Sequence, residues 1–282
     1  LERLLASPQH CGAGGGEFCA IWLGPEMPGD QRADDALSVC FDSAPMTGCA
    51  IVGAPVLRLR LRADAPQAQV AVRLNHIHPD GAATRITWGV LNLSRRNSHA
   101  APEPLRPGEE VEVAVPLDHI AYRLPEGHRL RVAVSTAYWP MIWPAPGAAA
   151  LTICGGALEL PLREGAGEGD EWHFPPPESA PPERCVVHRP EAHVRRSETD
   201  QRSGIVSLII EDDFGLVEHL DHGMINGGIA RERWDIHPDD PLSARGRTHW
   251  TEEMRRGDWS VRTETHAEMW SDATAFHLHA RI

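Results

Sequence analysis

The sequence predicts an all-β fold, an antiparallel β-sandwich followed by a further antiparallel β region. Segments in which apolar and polar residues alternate recur at short intervals from residue 51 to 163, the pattern of strands that bury one face. Turn-forming sequences separate them: PDG at 79–81, RPGE at 106–109 and PEG at 125–127. No amphipathic run with the helical period of 3.6 residues exceeds two turns, so a helical bundle is excluded.

The strand at 128–137 is the most informative of the sandwich strands. One face carries Leu130, Val132 and Val134, and the other carries Arg129, Arg131 and Ser135. It leads into an aromatic corner, 138–144, that contains too much proline for a strand ladder and too many apolar residues for a solvated loop. A short strand is predicted around 37–41. The remaining predicted strands are 56–63, 69–77, 84–93, 109–117, 149–154 and 157–163.

A second set of strands follows a segment rich in Gly, Glu and Pro. Alternation returns at 204–211, 228–236, 246–254, 258–270 and 275–282. We therefore divide the chain into a connecting arm (1–35), a sandwich (36–163), a linker (164–202) and a C-terminal antiparallel β region (203–282).

Five segments, taken in order, resemble the C-terminal domain of the cocaine-esterase and X-prolyl dipeptidyl-peptidase (CocE/NonD) family of serine hydrolases. They are LRLRLRAD (57–64), VAVRLNHIHPDG (70–81), WGVLNLSRRNSH (88–99), EPLRPGEEVEVAVPL (103–117) and GHRLRVAVSTAYWPMIW (127–143). The resemblance covers roughly residues 30–163. It implies a jelly-roll sandwich of the galactose-binding-like kind, preceded in full-length relatives by an α/β-hydrolase domain that carries a Ser-Asp-His triad.

No catalytic residue is assigned to this chain. A nucleophile elbow needs the pentapeptide G-x-S-x-G, and the sequence has none. The resemblance assigns catalysis to a domain upstream of Leu1, so we expect the chain to be an inactive fragment of a hydrolase. The 27 basic residues are all Arg, which excludes Schiff-base lysines, Walker-A loops and Ser-x-x-Lys nucleophiles.

Composition limits the partners. A formal net charge of −13 disfavours nucleic acids and anionic membranes, and Arg58, Arg60 and Arg62 are interpreted as the solvated face of a strand. The longest apolar runs are too short to span a bilayer. Six scattered Cys without a C-x-x-C pair indicate reduced thiols, and we expect a cytoplasmic location.

No cofactor or metal is predicted. The pairs His76 with His78 and His277 with His279 each place two imidazoles on one strand face, but neither pair has a clearly spaced third ligand. His219, Asp221 and His222 form a third weak candidate. Asp30, Asp34 and Asp35 lack the spacing of a calcium loop, so caps and pairs with Arg32 are the expected roles.

A set of aromatic residues forms the candidate interaction surface. Its members are Phe18, Trp22, Trp88, Tyr138, Trp139 and Trp143. We expect them to meet the parent's hydrolase domain and wall its substrate pocket, so that the chain stabilises an enzyme that cleaves esters or X-Pro amides. The alternative is a carbohydrate-binding jelly roll that stacks sugars on these rings. Contacts between copies in a homo-oligomer are also left open.

Overall fold

The computed structural model describes residues 2–18, 20, 26–165 and 173–282. In this part of the chain strands predominate, with a one-turn helix α1 (Arg32–Asp35) and a 3-10 turn (Leu93–Arg95). Neither is long and apolar enough to cross a membrane. The first eleven strands are β1 (Arg3–Leu5), β2 (Val39–Asp42), β3 (Cys49–Gly53), β4 (Val56–Ala63), β5 (Gln69–Ile77), β6 (Ala83–Asn92), β7 (Glu110–Pro116), β8 (Ile120–Leu124), β9 (Arg129–Ser135), β10 (Leu151–Glu159) and β11 (Leu162–Arg163).

Strands β1 to β10 pair as a nested antiparallel ribbon. The pairs are β1 with β10, β2 with β9, β3 with β8, β4 with β7, and β5 with β6. Two further pairings, β10 with β4 and β9 with β5, roll this ribbon into two four-stranded sheets of order β1-β10-β4-β7 and β2-β9-β5-β6. β3 and β8 form a small third sheet with β11. This strand order is that of a jelly roll built from two Greek keys, and it confirms the predicted fold class.

The core lies between the two four-stranded sheets. Leu57, Leu59 and Leu61 of β4 point inward and are nearly inaccessible, whereas the intervening arginines are exposed. Val70 and Val72 of β5 meet them from the opposite sheet, and both are fully buried. This alternation follows from the two-residue period of strands, with apolar side chains on the face that the other sheet covers.

Most predicted sandwich strands are present within one or two residues of their expected ends. The sequence pattern does not predict β3 and β8, which pair with each other from Cys49–Leu124 to Gly53–Ile120. Each has only five residues and follows closely on another strand or turn. Their stability comes from non-local pairing and from the buried side chains of Ile51 and Leu124, which local alternation does not reveal.

The C-terminal region forms one large antiparallel sheet, here called the long sheet. Its strands are β12 (Cys185–Arg189), β13 (Ala192–Thr199), β14 (Val206–His219), β15 (Met224–His237), β16 (Asp240–Arg256), β17 (Trp259–Ser271) and β18 (Phe276–Arg281). β14 to β18 pair consecutively, while β12 and β13 both pair with the far edge of β14.

The second half of the predicted linker, 164–202, contains the strands β12 and β13, both paired with β14. The Pro-rich composition that marks a linker covers only the residues before Cys185. β12 and β13 are edge strands with mostly exposed side chains, so burial gives them little sequence signal. Their backbone ladder on β14 holds them in place. The other proposed boundaries remain predictions.

Candidate functional site

The predicted aromatic surface is divided by the fold. Trp22 lies outside the described residues. Tyr138 and Trp139 are buried, with 1% and 2% of their surface exposed, while Trp88 and Trp143 are half-buried. Phe18 is 78% exposed. In the described part of the chain the set therefore separates into an exposed edge and a buried junction.

The exposed edge, here called the aromatic edge, consists of Phe18, Arg85 and Trp88, which lie on the buried Tyr138. The Phe18 ring meets the Trp88 ring edge-on with centroids 6.1 Å apart, and Trp88 lies 5.4 Å from Tyr138. The Arg85 guanidinium lies over the Trp88 ring at 5.7 Å and donates hydrogen bonds to the Tyr138 hydroxyl and the Gly15 carbonyl. Three separate segments are thus fixed together beneath an exposed phenyl ring.

The buried junction joins the sandwich to the long sheet. Trp139 contacts Trp143 at 5.4 Å and Trp234 of β15 at 6.0 Å between ring centroids. Ile236, which is fully buried, packs in the same cluster. The Trp143 indole donates to the Ser271 hydroxyl at 2.9 Å. The aromatic corner is therefore chiefly a packing surface between the two parts of this chain.

The predicted connecting arm is attached to the sandwich. Its β1 strand pairs with β10, and the Asp34 carboxylate accepts hydrogen bonds from the amides of Gly12 and Gly14, both at 2.9 Å. Gly12 has φ of 110°, and a Cβ there would lie 2.8 Å from the Trp139 nitrogen, so only glycine fits this turn. The arm therefore supports both the aromatic edge and the junction.

The acidic triplet is paired with protein groups. Asp35 is 5% exposed and accepts from Arg73 at 3.1 Å, from Asn75 at 2.9 Å and from Arg131 at 3.2 Å. Asp30 accepts from Arg32 on the surface. The sequence pattern shows the Asp residues but not the buried Arg73, whose guanidinium lies beneath the arm and makes this network a structural anchor.

A cluster of three histidines lies at one end of the sandwich. His76 and His78 stack with ring centroids 3.9 Å apart, as their predicted placement on one face requires. His128, in the turn before β9, brings its Nδ1 to 2.5 Å from His76 Nε2. Burial, followed by the nearby His78 and His128, lowers the pKa of His76 to about 4. The sequence pattern could not identify His128, because it lies far along the chain in an ordinary turn.

The other histidine candidates are more exposed. His219 and His222 group with Glu183, and His249 and His266 group with Glu264 on the long sheet. Asp221, weighed with His219, instead pairs with Arg184. These groupings lie on the surface, where such clusters arise readily.

The second His-x-His pair lies on the edge strand β18. There the His277 imidazole contacts Asp272 at 2.7 Å and stacks on Trp270. Neither His277 nor His279 belongs to a group of three potential ligands within the described residues.

The arginine row on β4 is electrostatically paired. Arg58 contacts Glu159, Arg60 contacts Glu110, and Arg62 contacts Glu2. Each carboxylate comes from a neighbouring segment of the same sheet. The row is thus a solvated, paired strand face, as the sequence indicates, and offers no concentrated positive charge to a polyanion.

The nested sheets define a jelly-roll domain whose conspicuous side-chain networks hold segments of the chain together. The chain belongs to the family of X-Pro dipeptidyl-peptidase C-terminal non-catalytic domains, whose family model matches residues 4–169. It is also 28% identical over 122 residues to the cocaine esterase of Rhodococcus sp. (strain MB1 Bresler), a match that covers 42% of this chain and 21% of that protein. The family resemblance stated from the sequence is confirmed.

Two solved structures share the fold. An aminopeptidase from a marine sediment Thaumarchaeota archaeon matches with a TM-score of 0.51 and 17% identity, covering 58% of this chain and 33% of its own. An α-amino acid ester hydrolase matches with the same score and identity, covering 57% of this chain and 32% of its own. This chain thus spans a third or less of each of these relatives, and the structural likeness concerns the fold.

Proposed function

We propose that the chain is the C-terminal, non-catalytic part of a serine hydrolase that cleaves esters or X-Pro amides. In this proposal it stabilises the hydrolase domain and forms one wall of its active-site cleft. The observation that supports this most directly is the family match over residues 4–169, since that family is described as a C-terminal non-catalytic domain. Catalysis then belongs to a separate domain of the parent enzyme.

The aromatic edge is the proposed contact with that domain. Phe18 exposes 78% of its surface, yet Trp88, Arg85 and Tyr138 hold the position beneath it. An exposed aromatic ring on a rigid base is suited to fill a pocket on a partner, because little side-chain entropy is lost when it binds. Trp139 and Trp143 have a different role in this proposal, since they position the long sheet.

The carbohydrate-binding alternative is disfavoured by the packing at this edge. Sugar stacking needs an open, flat ring face. The Arg85 guanidinium lies over the Trp88 ring, and the Phe18 ring meets Trp88 edge-on with 87° between the ring planes. A sugar would have to displace both groups before it reached the indole, whereas a protein pocket can receive Phe18 where it stands.

We further propose a cytoplasmic location for the parent. The described cysteines, Cys11, Cys40, Cys49, Cys154 and Cys185, are all free thiols. Free thiols of this number are typical of a reducing compartment. Detection of the parent in a periplasmic or secreted fraction, with these cysteines oxidised, would contradict this part of the proposal.

The experiment is a titration of the chain with the parent's hydrolase domain, expressed separately, followed by calorimetry and tryptophan fluorescence. We expect saturable binding that Phe18→Ala weakens by at least tenfold. Leu278→Ala is the matched control, because Leu278 is also strongly exposed at 76% but lies on β18, the edge strand of the long sheet; it should leave the affinity within twofold.

Three outcomes would overturn the proposal. Saturable binding to a member of a polysaccharide panel, with none to the hydrolase domain, would favour the carbohydrate-binding module. Self-association that Phe18→Ala abolishes would make the edge a contact between copies. An upstream reading frame that encodes no hydrolase would remove the partner altogether.

A further inference from the structure

We propose that His76, His78 and His128 form a binding site for one zinc ion, at the end of the sandwich where the β5–β6 hairpin meets the β8–β9 turn. The three residues each offer one ligand nitrogen, and these atoms all lie within 4.8 Å of one another. Three imidazoles from two chain segments are a ligand set that zinc commonly takes in proteins.

The close contact between His76 and His128 is the main geometric support for the proposed zinc site. His76 Nε2 and His128 Nδ1 are 2.5 Å apart, so the two nitrogens face each other closely enough to share one proton. A zinc ion can replace that proton. Two nitrogens bound to one zinc at about 2.0–2.1 Å and at a tetrahedral angle are about 3.3 Å apart, so the two nitrogens need to separate by less than 1 Å while the rings tilt to direct both lone pairs at the ion.

The chain can make this adjustment at His128. His76 lies on β5 between two neighbouring strands and is 3% exposed, so its ring is fixed. His128 is only half-buried and directly follows Gly127, whose φ of 80° marks a turn. A small rotation of this turn opens the space without moving a strand of the core.

Two of the three histidines have an oxygen partner at one ring nitrogen. The Nδ1 of His76 lies 2.7 Å from the Tyr122 hydroxyl, and the Nε2 of His78 lies 3.0 Å from the Thr84 hydroxyl. Such contacts are what metal-bound imidazoles have at their second nitrogen, where a hydrogen bond fixes the ring orientation and the tautomer. Two of the three rings are therefore held with one nitrogen engaged and the other left for a metal.

Solvent reaches the cluster from one side, because His78 and His128 are both partly exposed. A water molecule would complete a four-coordinate shell around the zinc ion. The ion would then tie the β5–β6 hairpin to the β8–β9 turn, so its binding should raise the thermal stability of the sandwich.

The test is a calorimetric titration of the whole, untagged and chelator-treated chain with zinc chloride. The wild type should bind one zinc ion tightly, and zinc should raise its melting temperature. His128→Gln should weaken this binding by at least tenfold and abolish the rise in melting temperature. The matched control is His119→Gln, an exposed histidine on the same sandwich and outside the cluster, which should bind zinc within twofold of the wild type.

His128→Gln is preferred to a change at His76, because His128 lies in a half-buried turn and the variant should fold as the wild type does. Its circular dichroism and melting temperature without zinc check this. Cobalt(II) in place of zinc should give the strong visible absorption of a tetrahedral site in the wild type and in His119→Gln, but not in His128→Gln.

The proposal is overturned if the wild type shows no saturable zinc binding, or if His128→Gln binds zinc as well as the wild type does. Loss of the tight site in a His249→Gln, His266→Gln double variant, with no loss in His128→Gln, would place it on the long sheet instead and would equally overturn it. None of these results depends on the hydrolase partner, so they are independent of the proposed function.

Discussion

The sandwich and the long sheet are both antiparallel, but they are stabilised in different ways. In the sandwich, two sheets cover each other and enclose a continuous apolar core that includes Leu61, Val72 and Leu124. The long sheet is a single layer of strands up to 17 residues long. Of its buried apolar residues, Ile236 and Ala244 pack with Trp139, whereas Leu208, Ile210 and Ala230 lie outside that cluster. A second sheet supplies burial to every inner strand position, whereas a single layer depends on its ladders and on charged cross-strand pairs.

One face of the long sheet shows how charged cross-strand pairs stabilise a single layer. Arg247 on β16 contacts Asp235 of β15 at 2.8 Å and Glu268 of β17 at 2.9 Å. Two residues further along β16, the His249 ring stacks on the His266 ring of β17. Charges of both signs alternate across the strands, so this face gains modest stability from cross-strand ion pairs. The comparison predicts that mutations of similar chemistry have different costs in the two regions.

The largest effect is expected at the anchor beneath the arm. Asp35→Ala should lower the free energy of unfolding by about 3–5 kcal/mol, because it leaves the buried Arg73 guanidinium without its carboxylate. Asp30→Ala is the control, since Asp30 pairs with Arg32 at the surface, and it should cost less than about 1 kcal/mol. Urea unfolding measures both. Equal costs for the two variants would show that the network is not an anchor.

A matched pair of valines compares the regions directly. Val72→Ala in the sandwich should cost about 2 kcal/mol, because Val72 is fully buried and its methyl groups leave a cavity. Val261→Ala in the long sheet should change stability by no more than about 0.5 kcal/mol, because Val261 is 42% exposed. Chemical denaturation of both variants decides the point. A cost at Val261 as large as at Val72 would indicate an unrecognised layer over the long sheet.

The charged face of the long sheet should respond weakly and with salt dependence. Arg247→Gln should cost about 1 kcal/mol at low salt, and this cost should shrink in 1 M NaCl, because it removes partly exposed ion pairs. Arg106→Gln removes a pair at a position that is 85% exposed and should have no measurable effect. Thermal melts at two salt concentrations test this. A cost independent of salt would assign Arg247 a packing role instead.

The smallest effect on stability is expected for the cysteines, which should instead differ in their rates of alkylation. Burial, and then the charge of Asp35, raises the pKa of the Cys40 thiol to about 11. The thiolate is the reactive form, so Cys40 should resist iodoacetamide at pH 8, and its alkylation rate should rise about tenfold per pH unit up to that pKa. Cys185 at the edge of the long sheet is exposed and should react first. Peptide mass spectrometry after short pulses would reveal the opposite order if Cys40 were accessible.

Much of the fold was predictable because one-sided burial leaves an alternating pattern, as in β4 and β7. The strands that the sequence pattern does not predict are short or exposed: β3 and β8 rely on each other, and β12 and β13 rely on β14. The sequence pattern also does not predict contacts between residues that are far apart in the chain. Nothing near Trp139 in the sequence indicates that Trp234 covers it, and nothing near His76 points to His128.

The candidate surface was predictable only in part for the same reason. Aromatic residues next to proline identify a place that needs a partner, but their composition does not show whether that partner belongs to the same chain. The structure shows that Tyr138 and Trp139 find theirs within it, and Phe18 presents the exposed ring. The division between junction and edge depends on tertiary packing, and the role of the aromatic edge as an interaction surface stays a prediction.

Hydrogen exchange of the chain, alone and with the hydrolase domain proposed for its parent, tests the central claim most directly. Our account predicts that the domain slows exchange at the aromatic edge, in residues 13–18 and 83–92, and leaves the outer strands of the long sheet unchanged. Slower exchange confined to 250–261 and 276–281, or no change anywhere, would contradict it.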